Sequence, residues 1–125
     1  MPTFEAPAVC VVDDDASLLR ALKLLLRAAG FTVGAFGSAE EFLVAAHTGP
    51  PRCLVLDIHL GRLSGFELHE RLMSTGMAIP TIFITAHDDA ITRERARAGV
   101  AYLRKPFRED ALLGAIREAL ESRGV

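Results

Sequence analysis

Short apolar runs that each lead into a charged or hydroxyl side chain restrict the fold of this chain more than any other property. The run Ala8-Val9-Cys10-Val11-Val12 closes on Asp13-Asp14-Asp15, and Cys53-Leu54-Val55-Leu56 closes on Asp57. Ile82-Phe83-Ile84 ends at Thr85, and Val100-Ala101-Tyr102-Leu103 leads to Arg104, Lys105 and Pro106. Apolar runs of this length read as strands buried on both faces, the habit of a parallel sheet. Unpaired carboxylates are costly in a low-dielectric interior. Acids at the end of a buried strand therefore require that end to open into a crevice. In open α/β sheets the carboxyl ends of the strands form such a crevice.

The segments between these runs are helical. Ala16 to Ala29 carries Leu18, Leu22, Leu25, Leu26 and Ala29 at helical spacing and stops at Gly30. Phe31 to Phe36 predicts a strand. Ser38 and Glu41 predict a capping box that opens a helix to about His47, followed by a loop containing Pro50-Pro51. A Gly-bearing loop, Ile58 to Ser64, precedes a predicted helix over Phe66 to Ser74, and Thr81 to Thr85 predicts a strand. Asp88 to Ala98 predicts a helix with Ile91 as its only large aliphatic residue. Ala111 to Leu120 places Leu112, Leu113, Ile116, Ala119 and Leu120 on one face. Strands alternating with helices require parallel pairing and right-handed crossovers, hence a five-stranded doubly wound α/β domain. A length of 125 residues suits one domain over 1–125, with its core over about 7–122, and a hydrophobic content of 50% is ample for that core.

Bulk properties exclude several classes. The net charge of -2 gives no global basic field, so no direct nucleic-acid contact by this domain is expected. No apolar stretch reaches the roughly 18 residues of a membrane span, and the first residues do not read as a secretory signal. Cys10 and Cys53 fall in predicted buried strands and read as reduced core residues of a cytoplasmic protein.

The strand ends carry the chemistry. Oxygen ligands clustered as Asp13, Asp14 and Asp57 suit a hard divalent cation such as Mg2+. Lys105 suits a phosphoryl group or a carboxylate as a point charge. Asp15 fits best as a helix N-cap. In combination and in this order, Val12-Asp13-Asp14, Leu56-Asp57, Thr85-Ala86 and Lys105-Pro106-Phe107 resemble the receiver domain of bacterial response regulators, over about residues 7 to 122. The resemblance implies a flavodoxin-like sheet of order 2-1-3-4-5 with five helices. It also implies that Asp57 accepts a phosphoryl group from a sensor histidine kinase. Asp14, Asp57 and the backbone carbonyl of His59 would ligate Mg2+, and Asp13 would hold a metal-bound water. Thr85 and Lys105 would contact phosphoryl oxygens, the Lys105-Pro106 peptide would be cis, and Thr85 with Tyr102 would form the switch. Physical argument supports these roles: a carboxylate attacking phosphorus brings like charges together, which a cation and a lysine neutralise.

Other residues extend or depart from the pattern. The loop Leu60-Gly61-Arg62-Leu63-Ser64-Gly65 lacks the proline that many relatives carry there. His59 and His87 follow Asp57 and Thr85 by two residues and are candidates to line the entrance used by a hydrolytic water. His47 and His69 are expected on the surface. Arg93, Arg95 and Arg97 read as a solvated face or as part of an output surface. Residues 88 to 120 are expected to meet an effector domain or a dimer partner. The stretch Arg104 to Phe107 with Glu109 to Leu113 is similar to receivers that precede helix-turn-helix DNA-binding domains, so transcription is the expected output. A stand-alone receiver and an aspartyl-phosphate phosphatase are the alternatives. The phosphatase generally needs a second acid where this chain has His59. A flavin carrier of similar topology would need a phosphate-cradling loop after the first strand. No enzyme activity beyond self-directed phosphotransfer and autodephosphorylation is expected.

Overall fold

The computed structural model describes residues 6–122. Residues 1–5 and 123–125 of the expected domain lie outside the described residues. The elements in chain order are β1 (Val9–Val12), α1 (Ala16–Ala28), β2 (Val33–Phe36), α2 (Ala39–Ala46) and β3 (Cys53–Asp57). They continue as α3 (Gly65–Ser74), β4 (Thr81–Thr85), α4 (Ala90–Ala96), β5 (Ala101–Arg104) and α5 (Glu109–Ser122). The strands form one sheet of order β2-β1-β3-β4-β5, every neighbouring pair parallel. The doubly wound architecture expected from the alternation is the one observed.

Period-two alternation along the strands divides the core in two. Val9, Val11, Val55, Ile82 and Ile84 face α1 and α5, where Leu22, Leu26, Leu112 and Ile116 cover them. Cys10, Val12, Leu54, Leu56 and Phe83 face α2, α3 and α4, where Phe42, Leu68, Leu72 and Ala96 cover them. Each fully buried Leu, Ile or Phe contributes about 1.5–3 kcal/mol by leaving water. The central strands β1, β3 and β4 are buried throughout, whereas the edge strands β2 and β5 are only half-buried. Cys10 and Cys53 are free, lie in opposite cores and are pushed up to about 12, chiefly by burial. They are inert hydrophobes.

Several local expectations need correction. Ser38 does cap α2, its hydroxyl accepting the Glu41 N–H at 3.1 Å, but the Glu41 carboxylate accepts from Gly37 N–H at 3.0 Å, one residue before the box position. The reciprocal capping box belongs to α3: Ser64 Oγ accepts the Glu67 N–H and Glu67 Oε1 accepts the Ser64 N–H. The fourth helix is shorter than expected because Asp89 acts as its N-cap, accepting the Thr92 N–H at 2.7 Å. Its far end closes at Gly99, where a Cβ would lie 2.5 Å from the Thr81 carbonyl oxygen and 2.8 Å from the Phe83 ring. The next amide, Val100 N–H, donates to that same carbonyl at 2.8 Å. β5 accordingly starts one residue later than predicted. β2 is shorter than its apolar run and starts at Val33, whereas α5 starts earlier and ends later than its apolar stripe. His47 is exposed as expected, whereas His69 is buried, its ring edge-on to Phe83 at 5.4 Å.

Candidate functional site

The carboxyl ends of β1, β3, β4 and β5 converge on one cluster. Asp13, immediately after β1, is fully buried, and Asp57, the last residue of β3, is 4% exposed. Lys105, immediately after β5, places Nζ 2.7 Å from Asp13 Oδ2 and 3.5 Å from Asp57 Oδ2. The other Asp13 oxygen accepts the Asp15 N–H at 2.9 Å, and Asp57 Oδ1 accepts the His59 N–H at 3.3 Å. Asp14 is exposed, and one oxygen from each of Asp13, Asp14 and Asp57 lies within 4.8 Å of the others. Asp15 stands apart from this cluster: its side chain caps α1, accepting from Ser17 and Leu18 N–H.

The electrostatics of the cluster are unbalanced. Burial pushes the Asp57 carboxyl above its usual range, and Asp13 pushes it further. Lys105 and the His59 N–H pull the other way without cancelling this. Burial disfavours the Lys105 ammonium, yet its bond to Asp13 and the charges of Asp57 and Asp13 leave its pKa above the ordinary lysine value. Three carboxylates set against one ammonium leave negative charge in a partly dry site. Such an oxygen donor set fits a hard divalent cation.

Thr85 and Tyr102 lie on the adjoining strands. Thr85 is fully buried, and its hydroxyl accepts the His87 N–H at 3.0 Å, closing a short turn after β4. Tyr102 is half-buried against the α2–α4 side of the core, and its hydroxyl donates to Asp88 Oδ1 at 3.0 Å. Arg93 Nε approaches the same oxygen at 3.2 Å. Burial first, then this bond to Asp88, raise the Tyr102 phenol above its ordinary pKa. The Lys105–Pro106 peptide is cis. His59 and His87 are exposed, with ring centroids 4.6 Å apart and planes inclined at 77°.

Asp13, Asp14, Asp57 and Lys105 are thus brought together. The Thr85 hydroxyl is engaged with its own loop, and Tyr102 is turned toward Asp88. Asp88 itself was not anticipated, because it stands three residues beyond Thr85 and does not close an apolar run as Asp13 and Asp57 do. The three arginines each have a partner within the domain. Arg93 meets Asp88, Arg97 pairs with Glu94 at 3.3 Å, and the Arg95 guanidinium lies 4.3 Å over the Phe66 ring. No described helix is long and apolar enough to cross a membrane.

Comparison with known proteins identifies the family. The response regulator receiver domain family matches residues 9–117. Response regulator protein TodT of Pseudomonas putida is 41% identical over 118 residues, covering 93% of this chain and 52% of that protein. Nodulation protein W of Bradyrhizobium diazoefficiens is 44% identical over 115 residues, covering 90% and 51%. The chain therefore spans about half the length of these curated relatives. A crystal structure of a response regulator receiver protein from Burkholderia phymatum superposes with a TM-score of 0.80 at 43% identity, covering 93% of this chain and 96% of that one. With the match running from the first residue of β1 well into α5, the chain belongs to the response regulator receiver domain family.

Proposed function

We propose that Asp57 accepts a phosphoryl group from the phosphohistidine of a sensor histidine kinase, and that the phosphorylated domain controls an effector whose output is transcription. The observation that carries this reading is Lys105, within 3.5 Å of both Asp13 and Asp57 at the mouth of a three-carboxylate cluster. The relatives support the output: the Transcriptional regulatory protein TdiR of Thauera aromatica is 37% identical over 120 residues. An Asp57 carboxylate oxygen attacks phosphorus in line. The O–P bond forms as the P–N bond to the donor imidazole breaks, and that imidazole leaves with a proton from solvent. Mg2+ held by Asp14, Asp57 and the His59 carbonyl, with Asp13 holding a metal-bound water, would neutralise the phosphoryl oxygens. Lys105 is positioned to neutralise the charge that arrives beside it. The Thr85 hydroxyl, which now donates to the His87 carbonyl at 3.4 Å, would donate to a phosphoryl oxygen instead, and Tyr102 would follow it inward. His59 and His87 line the opening by which water later removes the group. The chemistry acts on the domain itself rather than on an external substrate.

Acetyl phosphate with Mg2+ is expected to add one phosphoryl group, seen by intact mass. The addition is expected to disappear in Asp57→Asn and in EDTA. Modification that persists in Asp57→Asn would place the acceptor elsewhere.

A further inference from the structure

We infer that His59 and His87 form a two-imidazole site for a late-transition divalent ion, Ni2+ or Cu2+, at the rim of the acidic cluster. The two rings come from different loops, both are exposed, and their centroids are 4.6 Å apart. A metal–nitrogen bond of about 2.0–2.1 Å puts an imidazole centroid roughly 3.2 Å from the ion. Two such rings at a right angle about one ion then stand about 4.5 Å apart, and at a tetrahedral angle about 5.2 Å apart. The observed separation is close to what one shared ion requires, and paired imidazoles suit Ni2+ and Cu2+, which stand high in the affinity order of divalent ions. The ring planes now meet edge to face, so both exposed side chains must turn for a nitrogen of each ring to reach a common point.

The backbones that carry the rings are held from within the acidic site. His59 N–H is tied to Asp57 Oδ1 and His87 N–H to Thr85 Oγ1. An ion shared by the imidazoles therefore clamps the turn after β3 to the turn after β4. If phosphorylation draws Thr85 away from His87 as proposed above, the clamp opposes that movement and screens the acceptor carboxylate. Binding of the late-transition ion and phosphoryl transfer would then be antagonistic, through ligands distinct from the carboxylates that favour Mg2+. This second step rests on the phosphoacceptor reading; the ion site itself does not.

The test is calorimetric titration of the whole chain with NiCl2 in saturating MgCl2, without phosphodonor. One Ni2+ per chain is expected, weakened roughly ten-fold or more by either His59→Ala or His87→Ala, and retained in Asp57→Asn. Equal affinity in the double variant, dependence on Asp57, or no binding up to millimolar Ni2+ would overturn the site. In a separate arm, Ni2+ is expected to slow acetyl phosphate labelling of the parent but not of the double histidine variant. Equal slowing of both would overturn the antagonism, while a parent that binds Ni2+ but never labels would count against the phosphoacceptor reading instead.

Discussion

Lys105 and Asp57 differ in what their removal does to a site that holds three acids and one ammonium. Truncating Lys105→Ala strands Asp13, which is fully buried and bonded to the ammonium at 2.7 Å. A loss of about 2–3 kcal/mol is expected, since removing one partner leaves a buried charge uncompensated. Asp57→Asn acts in the opposite direction. It removes a carboxylate that burial and Asp13 already disfavour, while Lys105 keeps its closer partner and the amide oxygen still accepts the His59 N–H. Without divalent ions, Asp57→Asn is expected to melt higher by on the order of 1 kcal/mol, roughly 3–6 °C for a domain of this size. Thermal melts in EDTA check both; a lower melting temperature for Asp57→Asn would mean that the acids do not repel one another. The acids and the lysine were legible because polar residues at the ends of apolar runs have few other reasons to be there. Asp88 was not: its partners, Tyr102 and Arg93, come from another strand and a helix, and no local spacing announces them.

At the scale of elements, α4 shows where sequence reading loses resolution. Its existence was legible, but its first and last residues were not, because Asp89 caps it one residue later than the acidic start suggests and its last helical residue is Ala96, ahead of the expected Ala98. The helix buries only Ala96, so contacts made by polar residues hold it. Arg95 lies over Phe66, and Arg93 shares the Asp88 carboxylate with Tyr102. Asp88→Ala releases both the tyrosine hydroxyl and Arg93. Backbone amides of α4 are then expected to exchange with deuterium roughly five- to thirty-fold faster, the equivalent of about 1–2 kcal/mol of local stability. Amides of α1 and α5, on the other face, should keep their rates. Unchanged exchange in α4 would show that Asp88 does not hold it.

Across the whole molecule the sheet separates two cores, and the doubly wound architecture was legible because alternating strands and helices admit few windings, whereas the strand order came with the family resemblance. The position of His69 was not, since a polar residue on a helix reads as exposed until packing decides. Burial holds its imidazole below the ordinary value of 6.5, with Glu70 opposing. As pH falls through 6.5 the unfolded chain takes the proton first, so stability declines until the folded histidine is protonated as well. The urea midpoint of the parent is therefore expected to fall between about pH 7.5 and about pH 5.5, and that of His69→Leu to fall less. Parallel declines would clear His69 of the effect. A last consequence lies at Gly99, where backbone meets backbone with no space for a methyl group. Its neighbour Val100 is bonded to the first residue of β4, while the Asp88 end of the same helix hangs on side chains. One end is a fulcrum and the other is held by side chains, so a disturbance arriving from Thr85, under the proposed switch, would tilt α4 instead of sliding it, and Ile91, 76% exposed near the side-chain-held end, would sweep the wider arc.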